Sequence, residues 1–191
     1  MPNNILSDDE KQILLLLARK AIQNRVENKS SIVINPDNYS SNLQKIRATF
    51  VTLTIDGRLR GCIGTLDAYQ SLVEDVYEHA IAAAFDDYRF PAINKNELNK
   101  LKIEISVLSE PALLEYDDPI EITNKLRIGI DGVVITDGIR RATFLPQVWE
   151  KIPDVEDFMS QLCYKMGVPS EYWKENQLKI YTYQVEEFSE Y

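Results

Sequence analysis

Residues 48–64 read ATFVTLTIDGRLRGCIG, and this stretch decides the fold. Its first half is dense in Thr, Val, Leu and Ile, which predicts a strand over residues 48–55. Asp56-Gly57 is a strong signal for a two-residue hairpin turn, so a return strand is predicted over residues 58–63. An antiparallel hairpin is therefore the centre of the predicted fold.

Further helices and strands are predicted on both sides of this hairpin. Ser7 with Glu10 and Ser71 with Glu74 have the spacing of capping boxes, and apolar residues then recur at helical intervals. Asn94 with Glu97 is a similar capping signal for a short helix. The predicted helices cover residues 8–26, 72–85, a short segment from 94, 118–127 and 154–166, and the predicted strands cover 31–34, 101–108, 133–136, 140–144 and 178–185. Asp137-Gly138 repeats the two-residue turn signal and predicts a second hairpin between the strands 133–136 and 140–144. Strands and helices do not alternate regularly, which favours an α+β fold with a largely antiparallel sheet flanked by helices.

Length and composition limit the class of protein. The 191 residues suit one domain over residues 1–191, either undivided or with a larger and a smaller lobe. A net charge of -9 argues against a sequence-independent nucleic-acid binder, which needs a basic face to neutralise phosphates. The sequence shows no secretory signal and no apolar run of membrane-spanning length, so we expect a cytoplasmic protein that does not bind membranes.

The cysteine and histidine content argues against a metal site. Cys62, Cys163 and the single histidine His79 do not have the spacing of a zinc site, and a reducing cytoplasm would keep both cysteines as thiols. The sequence also lacks a nucleotide-type glycine loop. No metal and no cofactor are therefore predicted, and magnesium bound through carboxylates stays an open alternative.

The return strand of the first hairpin carries the main candidate site. A two-residue turn at Asp56-Gly57 would place Arg58, Arg60 and Cys62 on one face of the hairpin. Gly61 and Gly64 weaken a strand interior, and a common reason is the close approach of a ligand or of another backbone. A ligand-binding site at Arg60, Gly61, Cys62 and Gly64 is one interpretation; a small buried cysteine beside solvated arginines is the other.

A catalytic interpretation of Cys62 needs further groups. Cys62 would be a nucleophilic or redox thiol, Arg60 would stabilise developing negative charge, and His79 or Asp87 would carry the proton. His79 falls at the apolar edge of its helix, however, which favours a packed or hydrogen-bonded histidine. Cys163 lies on an apolar helix stripe and is predicted to be core.

Residues 86–91, DDYRFP, end the second long helix with two acids where the helix dipole disfavours them. One interpretation is a turn in which Asp87 pairs with Arg89 and Phe90 enters the core. The other is a metal or catalytic site. Asp87 and Arg89 are also candidate ligand-binding residues.

Several segments together resemble the AMMECR-one domain family. They are Leu59-Arg60-Gly61-Cys62-Ile63-Gly64 with its continuation to residue 66, and the segments 80–91, 101–109, 129–132 and 142–150. The resemblance extends to residues 162–163, 172–173 and 186–188, and it implies a two-lobed α+β fold. It also implies a cleft at residues 60–64, with Asp87, Arg89 and the segment that ends in Gln147 as its other marked stretches. Association with a MEMO-like protein and a radical-SAM protein in a shared pathway is a further implication.

Three functions remain open at this point. The first is a ligand- or partner-binding component whose ligand is small and anionic. The second is an enzyme that uses the Cys62 thiol. The third is a protein-interaction scaffold whose exposed aromatic anchors would be Tyr172, Trp173, Tyr181 and Tyr183.

Overall fold

The computed structural model describes residues 6–190, which fold into helices and strands in the order expected of an α+β protein. The helices are α1 Asp8–Val26, α2 Ser41–Gln44, α3 Leu72–Phe85, α4 Pro119–Lys125, α5 Val155–Met166 and α6 Tyr172–Glu175. The strands are β1 Thr49–Ile55, β2 Arg58–Gly64, β3 Leu101–Leu108, β4 Ala112–Leu114, β5 Gly132–Thr136, β6 Arg141–Phe144, β7 Lys179–Tyr183 and β8 Val185–Ser189. Short 3-10 turns cover Pro36–Asn38 and Pro146–Glu150.

The chain divides into two compact units. The first contains the residues up to Leu108 and those from Glu186 onward, and the second contains Ser109–Val185. The first unit has a four-stranded sheet in the order β2-β1-β3-β8. The second unit has its own four-stranded sheet in the order β4-β7-β5-β6.

The core of the first unit lies between its sheet and the helices α1 and α3. Val51 and Leu53 of β1 and Ile103 and Ile105 of β3 are completely buried, as is Leu14 of α1. Such alternate residues share one face of the sheet because side chains alternate along a strand. Both helices begin at a capping box, Ser7 with Glu10 and Ser71 with Glu74, which satisfies backbone N–H groups at the helix start.

The core of the second unit forms around α5. The Trp149 and Phe158 rings stack with centroids 3.6 Å apart, and Ile135 and Ile180 from the neighbouring sheet are completely buried. Helix α5 ends at Gly167 with φ of 83°, a left-handed conformation that glycine adopts without steric cost. Cys163 is fully buried in this core, as predicted, and burial raises the pKa of its thiol.

The predicted α+β class is confirmed, and the strand pairs β1–β2, β1–β3, β4–β7, β5–β6 and β5–β7 are all antiparallel. Four local predictions are wrong. Residues 31–34 are not a strand, and the segment from 94 is a series of turns instead of a helix. Asp137-Gly138 is not a two-residue turn, because the Asp137 carboxylate accepts from the N–H groups of Ile139 and Arg140 and extends the loop to four residues. The predicted last strand stops at Tyr183, and a separate strand β8 follows.

The predicted register of the first hairpin is also wrong. Ile55 pairs with Arg58 as expected, but Leu53 pairs with Gly61 and Thr52 pairs with Cys62. Arg60 is the extra residue of a β-bulge, which shifts all following side chains of β2 by one position. Arg58, Arg60 and Cys62 therefore do not line up on one face.

No helix within residues 6–190 combines the length and the apolar character needed to cross a membrane.

Candidate functional site

Cys62 lies on the edge strand β2 with its side chain half-buried. It faces Thr52 on β1, and the Thr52 hydroxyl donates a hydrogen bond to the Cys62 sulfur at 3.3 Å. The core-facing neighbours of these two residues are Leu53 and Gly61, so the thiol and the hydroxyl point to the opposite side of the sheet. The bulge therefore gives Cys62 a polar neighbour that the sequence analysis did not predict.

Gly61 and Gly64 are explained by packing within the protein. A Cβ atom at Gly61 would lie 2.0 Å from the Ala83 carbonyl oxygen of α3. One at Gly64 would lie 2.3 Å from the Thr49 carbonyl oxygen and 2.5 Å from the Phe50 ring. Of the two reasons for glycine considered above, the structure supplies the close approach of another backbone.

Asp87 and Arg89 hold the backbone of Cys62 from the open edge of β2. The Asp87 carboxylate accepts the Cys62 N–H at 2.9 Å, and the Arg89 guanidinium donates to the Cys62 carbonyl at 3.2 Å. The two side chains also bind each other, with Arg89 Nε and Nη2 at 2.9 and 2.7 Å from the two carboxylate oxygens. The pair thus satisfies the edge backbone groups that a neighbouring strand would otherwise satisfy.

The electrostatics of this pair favour the ionised states. The Arg89 hydrogen bonds, aided by the Cys62 N–H, hold the pKa of Asp87 far below its usual range despite the burial of its side chain. In turn, the hydrogen bonds to the Asp87 carboxylate raise the pKa of Arg89. The Asp87 side chain is only 2% exposed whereas that of Arg89 is 43% exposed, so the positively charged member of the pair is the one in contact with solvent.

Arg60 is directed to a different acid. Its guanidinium donates to both carboxylate oxygens of Glu97, at 2.8 and 3.2 Å, and this contact lowers the pKa of Glu97. The guanidinium carbons of Arg60 and Arg89 lie over the Phe90 ring, at 6.0 and 5.5 Å from its centroid. Phe90 therefore places the two arginines on one part of the surface.

His79 belongs to a separate buried cluster. Its Nδ1 is 3.0 Å from the carboxylate of Asp75 and 3.2 Å from the hydroxyl of Thr49, which itself donates to Asp75 at 2.6 Å. Within residues 6–190 no hydrogen bond joins His79 to Cys62. The sequence-based expectation of a hydrogen-bonded histidine describes this arrangement, and a catalytic role for His79 stays an untested prediction.

The other predicted residues lie in the second unit. Gln147 is in the 3-10 turn Pro146–Glu150, and a ligand contact there remains a prediction. Trp173 and Tyr183 are 1% and 3% exposed, so neither is a surface anchor for a partner protein. No group of three or more His, Cys, Asp and Glu side chains in the described part of the chain has the arrangement of a metal site.

Two residues that shape the site, Thr52 and Glu97, were not predicted as site residues from the sequence. Thr52 was hidden because its pairing with Cys62 depends on the bulge. Glu97 was noticed only as a helix-capping signal with Asn94. That signal reflects a real contact, because the Asn94 N–H donates to Glu97 at 3.0 Å, but the same carboxylate also binds Arg60.

Comparison with known proteins gives the same family as the sequence motifs. The profile of the AMMECR1 domain family, the AMMECR-one family of the sequence analysis, matches residues 15–188. This chain belongs to the AMMECR1 family. Protein MK0488 of Methanopyrus kandleri is 38% identical over 193 residues, which cover 97% of this chain and 90% of that protein. Protein MJ0810 of Methanocaldococcus jannaschii is 34% identical over 193 residues, covering 97% and 92%.

A solved structure supports the AMMECR1 fold. The crystal structure of Uncharacterized Protein PH0010 from Pyrococcus horikoshii matches with a TM-score of 0.80 and 34% identity. The match covers 97% of this chain and 94% of that one.

Proposed function

We propose that this AMMECR1 protein is a binding component that recognises a small anionic ligand at the surface around Cys62 and Arg89. The observation that carries the proposal is the clamp that Asp87 and Arg89 form on the backbone of Cys62. A binding surface gains affinity when its groups are ordered before the ligand arrives, and the clamp supplies this order.

The charge arrangement supports an anionic ligand. Arg89 presents a half-exposed guanidinium, while its partner carboxylate on Asp87 is buried behind it. Because Nε and Nη2 of Arg89 already donate to Asp87 and to the Cys62 carbonyl, Nη1 is the atom that would donate charge-assisted hydrogen bonds to a carboxylate or phosphate group. In this proposal Asp87 positions Arg89, and Arg60 contributes positive charge nearby while its own hydrogen bonds go to Glu97.

The proposal ranks binding ahead of nucleophilic catalysis. A catalytic thiol needs a base within hydrogen-bond reach, and the hydrogen-bond partner of the Cys62 sulfur among the described residues is the hydroxyl of Thr52. His79 is engaged by Asp75 and Thr49 instead. The thiol is better placed to sense a bound ligand than to attack one.

Two alkylating reagents of similar size test the anion site, because iodoacetate is negatively charged and iodoacetamide is neutral. The Cys62-containing peptide is followed by mass spectrometry, so the buried Cys163 stays in place. We expect the rate ratio of iodoacetate to iodoacetamide to be about threefold higher at Cys62 than in a free cysteine peptide, since an exposed charge pair contributes roughly 0.7 kcal/mol. Added inorganic phosphate should lower this ratio by competition.

The control removes a charge from the same strand. Arg89→Gln should bring the ratio down to that of the free peptide or below it, because the Asp87 carboxylate beside Cys62 then lacks its cation. Arg58→Gln should leave the ratio unchanged, because Arg58 is exposed at the far end of β2. Circular dichroism verifies that each variant is folded. A ratio that is equal in the wild-type protein and in the free peptide would reject the proposal.

Tyr88 favours a second candidate, a partner-protein site on the same turn. Its side chain is 95% exposed, directly between the clamp residues Asp87 and Arg89. Exposed Tyr and Arg side chains are frequent energetic centres of protein interfaces. The family resemblance makes a MEMO-like or radical-SAM pathway protein the partner to test. Tyr88→Ala should abolish co-purification with that partner, and an unaffected complex would reject this site.

A further inference from the structure

A basic groove lies in the first unit, away from the clamp residues. It has a volume of about 770 Å³ and runs along α1, the turns after residue 94 and the start of β3. Its floor contains Arg19, whose guanidinium donates to the carbonyl oxygens of Leu98 and Leu101. The groove has the size of ordinary small-molecule sites, roughly 300–1,000 Å³.

Three lysines give this groove a positive excess. The two acids that line it have other partners, since Glu190 binds Arg19 and Glu27 binds Lys29. The remaining charged lining residues are Lys95, Lys100 and Lys102, and within residues 6–190 none of them forms an ion pair.

Nearby acids do not cancel this excess. Lys95 acts on Glu27 only through longer-range attraction, and Lys102 acts on Glu104 in the same way. Neither Glu27 nor Glu104 is hydrogen-bonded to a groove lysine in the described structure, and Glu104 is not part of the groove lining. These three unpaired ammonium groups form a locally positive region in a chain whose net charge is -9.

We infer that this groove binds a small ligand that carries a chain of phosphate groups. Lysine ammonium groups bind phosphate as mobile point charges, and three of them match several anionic groups better than a single carboxylate. Leu98 offers an apolar contact, and the amides of Gln23 and Asn99 offer donors and acceptors for the rest of the ligand. A long nucleic acid is disfavoured because the chain as a whole carries a net charge of -9.

This site is separate from the proposed Cys62 surface. Glu97 of the same loop binds Arg60, whereas Lys95 and Lys100 line the groove. Neither Cys62 nor Arg89 lines it. Ligand binding in the groove can therefore be measured independently of the reactivity of the Cys62 thiol.

Calorimetric titration of the full chain with sodium tripolyphosphate in 50 mM NaCl tests the inference. The wild-type protein should bind one equivalent. The double variant Lys100→Gln/Lys102→Gln should bind roughly tenfold more weakly, because each exposed charge contact contributes about threefold. The double variant Lys45→Gln/Lys151→Gln loses the same charge at exposed positions outside the groove and should bind like the wild type.

Three outcomes would overturn the inference. One is the absence of wild-type binding up to millimolar tripolyphosphate. Another is equal weakening in both double variants, which would mean that overall charge and not the groove governs binding. The third is single-stranded RNA that displaces tripolyphosphate and binds more tightly through Lys100 and Lys102, which would make the groove a nucleic-acid surface.

Discussion

The Asp87 carboxylate accepts the backbone N–H of Cys62 at 2.9 Å, so a helix-end acid holds the edge strand of the sheet. The residues are 25 positions apart in the chain. Arg89 completes the contact by binding both the carboxylate and the Cys62 carbonyl. The contact that holds the edge strand therefore also forms part of the candidate binding surface.

Asp87→Asn should destabilise the protein by about 2 kcal/mol. An amide cannot accept from the Cys62 N–H and from both Arg89 nitrogens as a carboxylate does, and hydrogen bonds to a charged group contribute about that much. Urea unfolding measures the change. Asp86→Asn is the matched control, since Asp86 is exposed, and it should shift stability by less than about 0.5 kcal/mol. Equal effects of both substitutions would mean that the clamp does not stabilise the strand.

The contribution of Asp87 should also depend on pH in the acid range. Because the pKa of Asp87 is lowered in the folded protein, the unfolded chain takes up a proton first as the pH falls. The stabilisation is therefore complete above about pH 5 and declines as the pH falls below roughly 4, the ordinary Asp range. The difference in unfolding free energy between the wild type and Asp87→Asn, measured from pH 6 to pH 3, should shrink. A constant difference would contradict the assigned shift.

Gly61→Ala should be far more damaging than its place in a strand suggests. The new methyl group would meet the Ala83 carbonyl at 2.0 Å, so α3 or β2 must move, and such overpacking costs about 3 kcal/mol. Gly57→Ala serves as the comparison, because its positive φ of 75° is strained for alanine by about 1 kcal/mol but no atom lies near the new methyl. Thermal unfolding of the two variants shows which substitution destabilises the protein more. A milder effect at Gly61 would mean that α3 does not pack this closely on β2.

Local signals predicted the long helices well. Helix α1 begins after Ser7 and α3 begins after Ser71. Both starts were predictable because a capping box depends only on residues within four consecutive positions. The predicted strand register was wrong because the register depends on residues that are distant in the sequence. The bulge at Arg60 lies next to Gly61, which packs closely against Ala83 of a helix that comes later in the chain. The residues of the turn alone do not predict this long-range contact.

The same distinction applies to the candidate site. Asp87 and Arg89 are two residues apart, and their pairing was one of the two interpretations of the DDYRFP segment. Their bonds to the Cys62 backbone, the Thr52 hydrogen bond and the Arg60–Glu97 pair join residues 10 to 37 positions apart. Sequence identified the residue types for this surface, but the partners of each residue are set by tertiary packing.

The reactivity of Cys62 should depend on Thr52 and not on His79. The Thr52 hydroxyl donates to the sulfur at 3.3 Å and so contacts the reacting atom directly, whereas His79 is bonded to Asp75 and Thr49. Thr52→Val keeps the side-chain shape and removes the donor, so iodoacetamide labelling of Cys62 at pH 8 should slow about threefold, equivalent to roughly 0.7 kcal/mol. His79→Gln retains a polar group for Asp75 and should leave the rate unchanged. The rates are followed on the Cys62 peptide by mass spectrometry. If His79→Gln slowed labelling and Thr52→Val did not, His79 would be the proton carrier of a reactive thiol, and the enzyme hypothesis would displace the binding proposal.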